Sequence, residues 1–205
     1  MQENHTDLRV LRTKTSIQNA FIELIEEKGF DAITVKDITM KAKINRGTFY
    51  AHYQDKYDLM TKSEEAFMQG MSAIILNNMS NVVAELETYS PFDKPFALLV
   101  SIFEYIDQNK RFMKGILGPN GDLSFQTKLK EFMFKKLFED QRNTLFKQEN
   151  LLVPPEYLVS YIASAHIGVI QQWLNSEKAE TPIEMARILS TMTINGPFFA
   201  AGLRK

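Results

Sequence analysis

Cysteine is absent from this 205-residue sequence. Disulfides and thiolate metal sites are thereby excluded, and the composition suits a reducing compartment. Long hydrophobic runs are missing too, since no apolar stretch approaches the roughly 20 residues that a membrane-spanning helix needs. The polar opening segment, Met1 to Asp7, lacks the apolar stretch of a signal peptide. Net charge is almost nil, at −1, so the chain is not a polycation that would hold nucleic acid by bulk charge. Histidine is scarce and scattered (His5, His52, His166), with no spacing to Asp or Glu that suggests a metal. There is no G-x-S-x-G elbow. Gly118-Pro119-Asn120-Gly121 lacks the Gly-Lys-Ser/Thr of a phosphate loop and reads as a helix–helix turn. The expectation is a soluble cytoplasmic protein that is not an enzyme and carries no cofactor, metal or membrane partner.

What is present is a globular apolar fraction of 44% and a pattern that is helical almost throughout. Ile17, Phe21, Leu24 and Ile25 recur at helical spacing over residues 9–28, ending at Gly29. A second helix is expected after Thr34, whose hydroxyl can cap it while Asp37 completes a capping box with a shorter acid than usual. A third follows Asn45, another good cap, and runs to about His52. Asp55 starts a long helix to about Asn78. Ser90-Pro91 and Pro95 mark a break, with a helix to about Asn109 and a short one over 111–117. Asp122 or Ser124 opens a helix to about Glu149, Pro154-Pro155 one to about Ser176, and Pro182 a last one over roughly 182–200. No strand and no repeat is visible. The fold class is all-α: a three-helix N-terminal unit over residues 8–54, and a larger helical body over 55–205.

Residues 33–53 are the most informative stretch. Ile33, Val35, Ile38, Ala42, Ile44, Phe49 and Tyr53 fall where they can pack two short helices together and onto Phe21 and Ile25. That leaves Arg46, Gly47, Thr48, Tyr50, Ala51 and His52 facing outwards, the arrangement used to push a helix into a DNA major groove. Gly47 lets backbone approach a phosphate or base edge. Thr48 and Tyr50 offer hydroxyls to phosphates, and Arg46 suits a phosphate or a guanine edge. The helix start after Thr34 presents N–H groups to an anion, with Lys36 and Lys56 flanking. Residues 1–60 hold nine Lys/Arg and nine Asp/Glu, so the segment is neutral, yet five bases stand against Asp37 and Asp55 between Lys36 and Lys56. Arg9, Arg12 and Lys14 form a second basic cluster. An ordinary helical hairpin with a solvated basic face is the rival explanation.

Thr34-Val35-Lys36-Asp37-Ile38, then Arg46 to Tyr53, then Asp55-Lys56-Tyr57-Asp58-Leu59 resembles the signature of the TetR/AcrR family of bacterial transcriptional regulators, over about residues 10–70. The resemblance implies DNA-contacting roles for Thr34, Lys36, Arg46, Gly47, Thr48, Tyr50, His52 and Lys56. Where the family usually reads Ala-Gly-Val-Ser, this chain has Ala42-Lys43-Ile44-Asn45. Lys43 therefore stands where glycine would relieve a left-handed backbone, at a cost of roughly 1 kcal/mol, and it adds a positive charge near the DNA. Ala51 is small where a larger base-reading side chain can stand, which predicts weak sequence readout there.

The resemblance further implies double-stranded operator DNA as partner, a homodimer with itself, and a small apolar effector held in the C-terminal domain. A repressor that binds a palindromic operator follows. The alternative is a helical ligand- or partner-binding module that does not touch DNA. Ser160, Ser164 and Gly168 form a small-residue ridge flanked by Tyr161 and Trp173, and Met185, Leu189, Met192, Gly196 and Phe199 form a stripe on the last helix. Two such helices per subunit suit a four-helix interface across a two-fold axis. Phe67, Met71, Phe96, Phe103, Phe112, Met113, Phe132, Phe138 and Trp173 are the apolar candidates for an effector pocket, although such stripes are also ordinary core.

Overall fold

A computed structural model of the chain describes residues 3–88, 95–118, 123–139, 148–177 and 180–202. Every regular element among these residues is helical. The chain divides into two compact units, Met1–Phe67 with Gly115–Asp122, and Met68–Lys114 with Leu123–Lys205.

The first unit contains α1 (Glu3–Lys28), α2 (Val35–Lys41), α3 (Arg46–Tyr50) and the start of α4 (Lys56–Thr88). Helix α1 stops where Gly29 takes φ +76° and its N–H bonds to the Ile25 carbonyl at 2.9 Å, a left-handed C-terminal residue that glycine adopts without strain. Its apolar stripe, Ile17, Phe21, Leu24 and Ile25, is buried together with Ile33, Ile38, Ala42, Phe49, Tyr53 and Leu59. This is the packing expected of residues 33–53, except that Val35 and Ile44 are only half-buried. Phe30 presents its ring edge-on to Phe21 and to Tyr57, at 6.1 and 5.3 Å between centroids.

Helix α4 opens as the sequence suggests. Asp55 Oδ1 accepts the N–H groups of Tyr57 and Asp58 at 2.8 Å each, and Asp58 Oδ2 accepts the N–H of Gln54 at 2.9 Å. The helix continues past Asn78 to Thr88, because nothing after Asn78 terminates it: no Gly or Pro occurs before Pro91.

The second unit holds α5 (Ala97–Gln108), the larger part of α6 (Lys110–Leu117), α7 (Leu123–Phe134), α8 (Pro155–Asn175), α9 (Pro182–Ser190) and the single turn α10 (Pro197–Ala200). Helix α5 packs on α9, and α8 packs on both α7 and α9. Trp173 of α8 is buried edge-on against Phe103 of α5 at 5.3 Å, and its indole N–H donates to the Glu180 carbonyl at 2.8 Å. Buried Ser190 donates to the Ala186 carbonyl at 2.6 Å and accepts the Phe96 N–H at 3.4 Å, tying α9 to the start of α5. Thr181 and Glu184 form the capping box of α9, with Pro182 at the first helical position.

Two helices depart from a regular α form. Helix α7 widens into a π turn over Lys135–Glu139, and residues 140–147 lie outside the described set. The last helix does not run unbroken from 182 to 200. It ends at Ser190, passes through a π turn over Thr191–Asn195, and reverses at Gly196, with φ +83°, before α10. Pro197 forces this stop, since its ring would clash with the preceding turn and it has no N–H to donate. The Ser90-Pro91 break and residues 119–121 of the expected Gly-Pro-Asn-Gly turn lie outside the described residues.

Candidate nucleic-acid interface

The helix pair at 33–53 is built from local hydrogen bonds. Thr34 Oγ1 accepts the Asp37 N–H at 3.2 Å, and Asp37 Oδ2 accepts the Thr34 N–H at 2.9 Å and its hydroxyl at 2.7 Å. Lys28 Nζ lies 2.7 Å from the same carboxylate oxygen. The Lys28 hydrogen bond, with those from Thr34, holds the Asp37 carboxyl far below its ordinary value, so it is ionised wherever the protein is folded near neutral pH.

The turn that follows has both bonds of a Schellman closure. The Ile44 N–H reaches back to the Thr39 carbonyl at 3.0 Å, and the Lys43 N–H to that of Met40 at 3.2 Å. The geometry requires a left-handed residue between them, and Lys43 occupies it at φ +55°. Lys43 is the one non-glycine residue with positive φ among the described residues. Ser16 of α1 donates to the Ala42 carbonyl at 3.2 Å, which pins the turn to the unit's core.

Asn45 then caps α3. Its Oδ1 accepts the Thr48 N–H at 2.7 Å and the Thr48 hydroxyl at 3.1 Å. The helix has five residues, too few to persist without tertiary support. Phe49 supplies that support, fully buried with its ring edge-on to Tyr50 at 5.6 Å and tilted against Tyr53 at 5.7 Å. From the far end, Lys62 of α4 donates to the His52 carbonyl at 3.2 Å and to Asp58 at 2.8 Å, its ammonium 5.4 Å from the Tyr53 ring.

Thr34, Lys36, Arg46, Gly47 and Ala51 are exposed, Tyr50 is 55% exposed, and Thr48, His52 and Lys56 are half-buried. The candidate residues at 34–52 thus come from two adjoining helices of one small unit. Lys56 is placed differently from the others. Its ammonium donates to the carbonyls of Phe30 and Asp31 at 3.1 and 2.9 Å and lies 4.8 Å from the Phe30 ring centroid. Of its three protons, two are spent on the loop after α1 and one is left for a phosphate.

The structure also sorts the charges that the sequence only counts. Lys28 is held by Asp37, and Lys41 by Glu23 at 3.2 Å and by Glu27. Arg9, Arg12, Lys14, Lys36, Lys43 and Arg46 have no ion-pair partner among the described residues. A segment neutral in composition therefore engages Glu23, Glu27, Asp37 and Asp58 with lysines and leaves cations available at the helix pair and on α1.

Residues 93–195 match the family described as "Transcriptional regulator C-terminal region", and residues 17–62 match "Bacterial regulatory proteins, tetR family". The first match alone spans half of the chain. The chain belongs to the TetR family.

TetR-family relatives agree along the chain. "Uncharacterized HTH-type transcriptional regulator YxbF" of Bacillus subtilis (strain 168) is 27% identical over 192 residues, covering 91% of this chain and 46% of the relative. The chain spans about half the length of the curated relatives it matches. A TetR transcriptional regulator from Streptococcus agalactiae 2603V shares the fold, with TM-score 0.59, 22% identity, and coverage of 93% of this chain and 98% of that one. So does NalD of Pseudomonas aeruginosa, described as the secondary repressor of the MexAB-OprM multidrug efflux pump, at TM-score 0.63 and 16% identity, covering 91% and 97%. These relatives are transcriptional regulators, not enzymes.

In the C-terminal part of this TetR-family chain, the other candidates are placed as follows. Phe67, Met71, Phe103, Phe112, Met113 and Trp173 are buried, as are Phe96 and Phe138, while Phe132 is half-buried. Phe67 belongs to the first unit and the rest to the second. Ser164 and Gly168 are exposed on α8, and a Cβ on Gly168 would meet nothing within 4 Å. Met185 and Leu189 are buried inside their own chain, on α9 where it packs with α5 and α8. Met192 is half-buried, and the Phe199 side chain lies outside the described residues. Outward apolar residues that sequence reasoning passed over include Tyr157 on α8, 74% exposed, and Ile183 and Ile188 on α9, 51% and 40% exposed. Helical spacing alone could have placed Tyr157 on the stripe of Tyr161, Ser164 and Gly168. His166 of α8 bonds through Nε2 to the Thr193 hydroxyl at 2.9 Å, and burial pushes its imidazole down to about 4. It is a neutral packing histidine at neutral pH. No helix among the described residues is long and apolar enough to cross a membrane.

Proposed function

We propose that this TetR-family chain is a DNA-binding transcriptional repressor that acts as a homodimer on a palindromic operator and is released by a small apolar effector. The observation that carries the DNA-binding reading is the doubly capped helix pair, with an exposed polar face from Arg46 to His52 beside cations that no acid occupies. Its α3 enters the major groove, with Arg46, Gly47, Thr48, Tyr50 and His52 facing the DNA and Thr34, Lys36 and Lys56 on flanking phosphates. Residues 8–54 are the reading domain. Residues 55–205 carry dimerisation and effector binding, and α4 begins in the first compact unit and continues into the second.

The dimer in this reading uses the outward stripe of α8, Tyr157, Tyr161, Ser164 and Gly168, which carries no charge. Met185, Leu189, Met192 and Phe199 are the further candidates for this interface, of which Met185 and Leu189 are buried within their own chain. The effector lies in the second unit, among Met71, Phe103, Phe112, Met113, Phe132 and Trp173, residues that can re-pack around varied apolar ligands. Binding there shifts the population towards a dimer whose reading helices are wrongly spaced.

The test is an anisotropy titration with the duplex upstream of the chain's own gene, across a series of salt concentrations. Specific, salt-sensitive binding that weakens in Tyr50→Phe and in Lys56→Ala is expected. Absence of such binding at moderate salt would leave a helical partner- or ligand-binding module. A monomer by light scattering would refute the α8 interface.

A further inference from the structure

We propose that Lys43 is a DNA-phosphate contact made from the strained backbone position of this chain's helix-turn-helix. The proposal rests on the DNA-binding reading above and adds to it a contact whose benefit is opposed by fold stability.

Three observations point the same way. First, the backbone at Lys43 does not choose its conformation freely. The Schellman bonds from Lys43 and Ile44 close the end of α2, and Ser16 holds the Ala42 carbonyl at 3.2 Å, so φ stays at +55° whatever side chain is present. A lysine there is disfavoured, and its Cβ crowds the following carbonyl. Strain of this kind persists where the surrounding structure over-determines it, and it clusters at functional positions.

Secondly, the side chain returns nothing to the fold. Lys43 is exposed, and its ammonium has no ion-pair partner among the described residues. Its neighbour Lys41 shows the alternative, because that ammonium is clasped by Glu23 and Glu27 of α1. Two lysines two residues apart are thus divided, one inward to acids and one outward to solvent.

Thirdly, the position is adjacent to the reading helix. Lys43 stands two residues before the Asn45 cap and three before Arg46, with Lys36 on the helix that precedes the turn. A flexible four-carbon stem carrying a point charge suits a phosphate, which needs no planar fork.

The test uses the full-length chain with two probes, the duplex upstream of its gene and a mixed-sequence duplex of equal length. Lys43→Gln removes the charge and keeps a side chain on the strained backbone. Lys43→Gly removes both charge and strain. Lys43→Arg removes neither. Each phosphate contact contributes about 0.9 to the slope of log K against log salt. Lys43→Gln should therefore flatten the slope by about 0.9 per subunit, and weaken binding at 0.15 M salt by about fivefold per subunit on both duplexes. Lys43→Gly should lose the same affinity while its Tm rises by about 2–4 °C. Lys43→Arg should match the parent in both.

Parent binding with Lys43→Gln unchanged in affinity and slope, while Lys36→Ala flattens it, would overturn this inference and leave the DNA-binding reading standing. No salt-sensitive binding by the parent to either duplex would sink both. A Tm for Lys43→Gly at or below that of the parent would overturn the claim that strain opposes the contact.

Discussion

Removing the cap from α3 should damage reading more than folding. The perturbation is Asn45→Ala, which deletes the acceptor that holds the Thr48 N–H at 2.7 Å and the Thr48 hydroxyl at 3.1 Å. An N-cap deletion costs about 1 kcal/mol, within a range of roughly 0.5–2. For a chain of this size that corresponds to a Tm lower by about 2–4 °C. The loss is concentrated in a helix of five residues that cannot sustain itself. Phe49 stays buried, so the core keeps its packing while the helix start frays. If the DNA-bound state requires α3 fully formed, the same free energy is spent again on binding, and affinity falls by about fivefold per subunit. Asn45→Ser, which restores a capping oxygen, should recover most of both losses. Asn45→Asp should keep Tm and still lose affinity, because the new charge meets phosphates. Thermal melts, amide exchange at Gly47 and Thr48, and anisotropy with duplex DNA read these outcomes separately. An Asn45→Ala protein with parental Tm and parental exchange would refute the argument that the cap holds the helix.

Three further outcomes follow from close contacts and buried groups. A Cβ at Gly70 would lie 2.1 Å from the Tyr105 hydroxyl oxygen and 2.5 Å from its Cζ. Gly70→Ala should therefore destabilise by about 1–2 kcal/mol despite its gain in helix propensity, and Tyr105→Leu should remove the penalty in a double-mutant melt. His166 has its pKa lowered by burial to about 4, so the unfolded chain binds more protons between that value and about 6.5. Its contribution to stability is complete above about 6.5 and is lost as pH falls towards 4; denaturant titrations should show this decline, and His166→Gln should flatten it. Trp173→Phe should cost about 1–3 kcal/mol by losing the indole hydrogen bond to the Glu180 carbonyl and shrinking the edge-to-face pair with buried Phe103, measured by urea unfolding followed by circular dichroism.

Helix ends were the most legible part of the chain. The caps at Thr34, Asn45 and Asp55 sit where side-chain chemistry places them, since each cap is decided within three or four residues. The left-handed backbone at Lys43 was legible through the family resemblance, whose turn carries glycine at that position, and the bonds that close α2 supply the physical reason. The early stop at Ser190 was not read from the sequence, because the apolar stripe from Met185 to Phe199 suggests one longer helix, and the Gly196-Pro197 pair ends the π turn that follows rather than α9 itself.

What the sequence by itself determined was the all-helical class, the positions of the short capped helices, and the run of polar residues that follows Asn45. Local hydrogen bonds and side-chain periodicity govern those features, and both are read within a few turns of helix. Tertiary structure alone decided which charges remain available. Lys41 meets acids that precede it by more than a dozen residues, and Lys56 meets carbonyls some 25 residues before it. Tertiary packing also decided that Met185 and Leu189 turn inward while Tyr157 and Tyr161 turn out. Periodicity marks an apolar face without naming what covers it, and an ion pair depends on where distant helices cross, which no short stretch of sequence encodes.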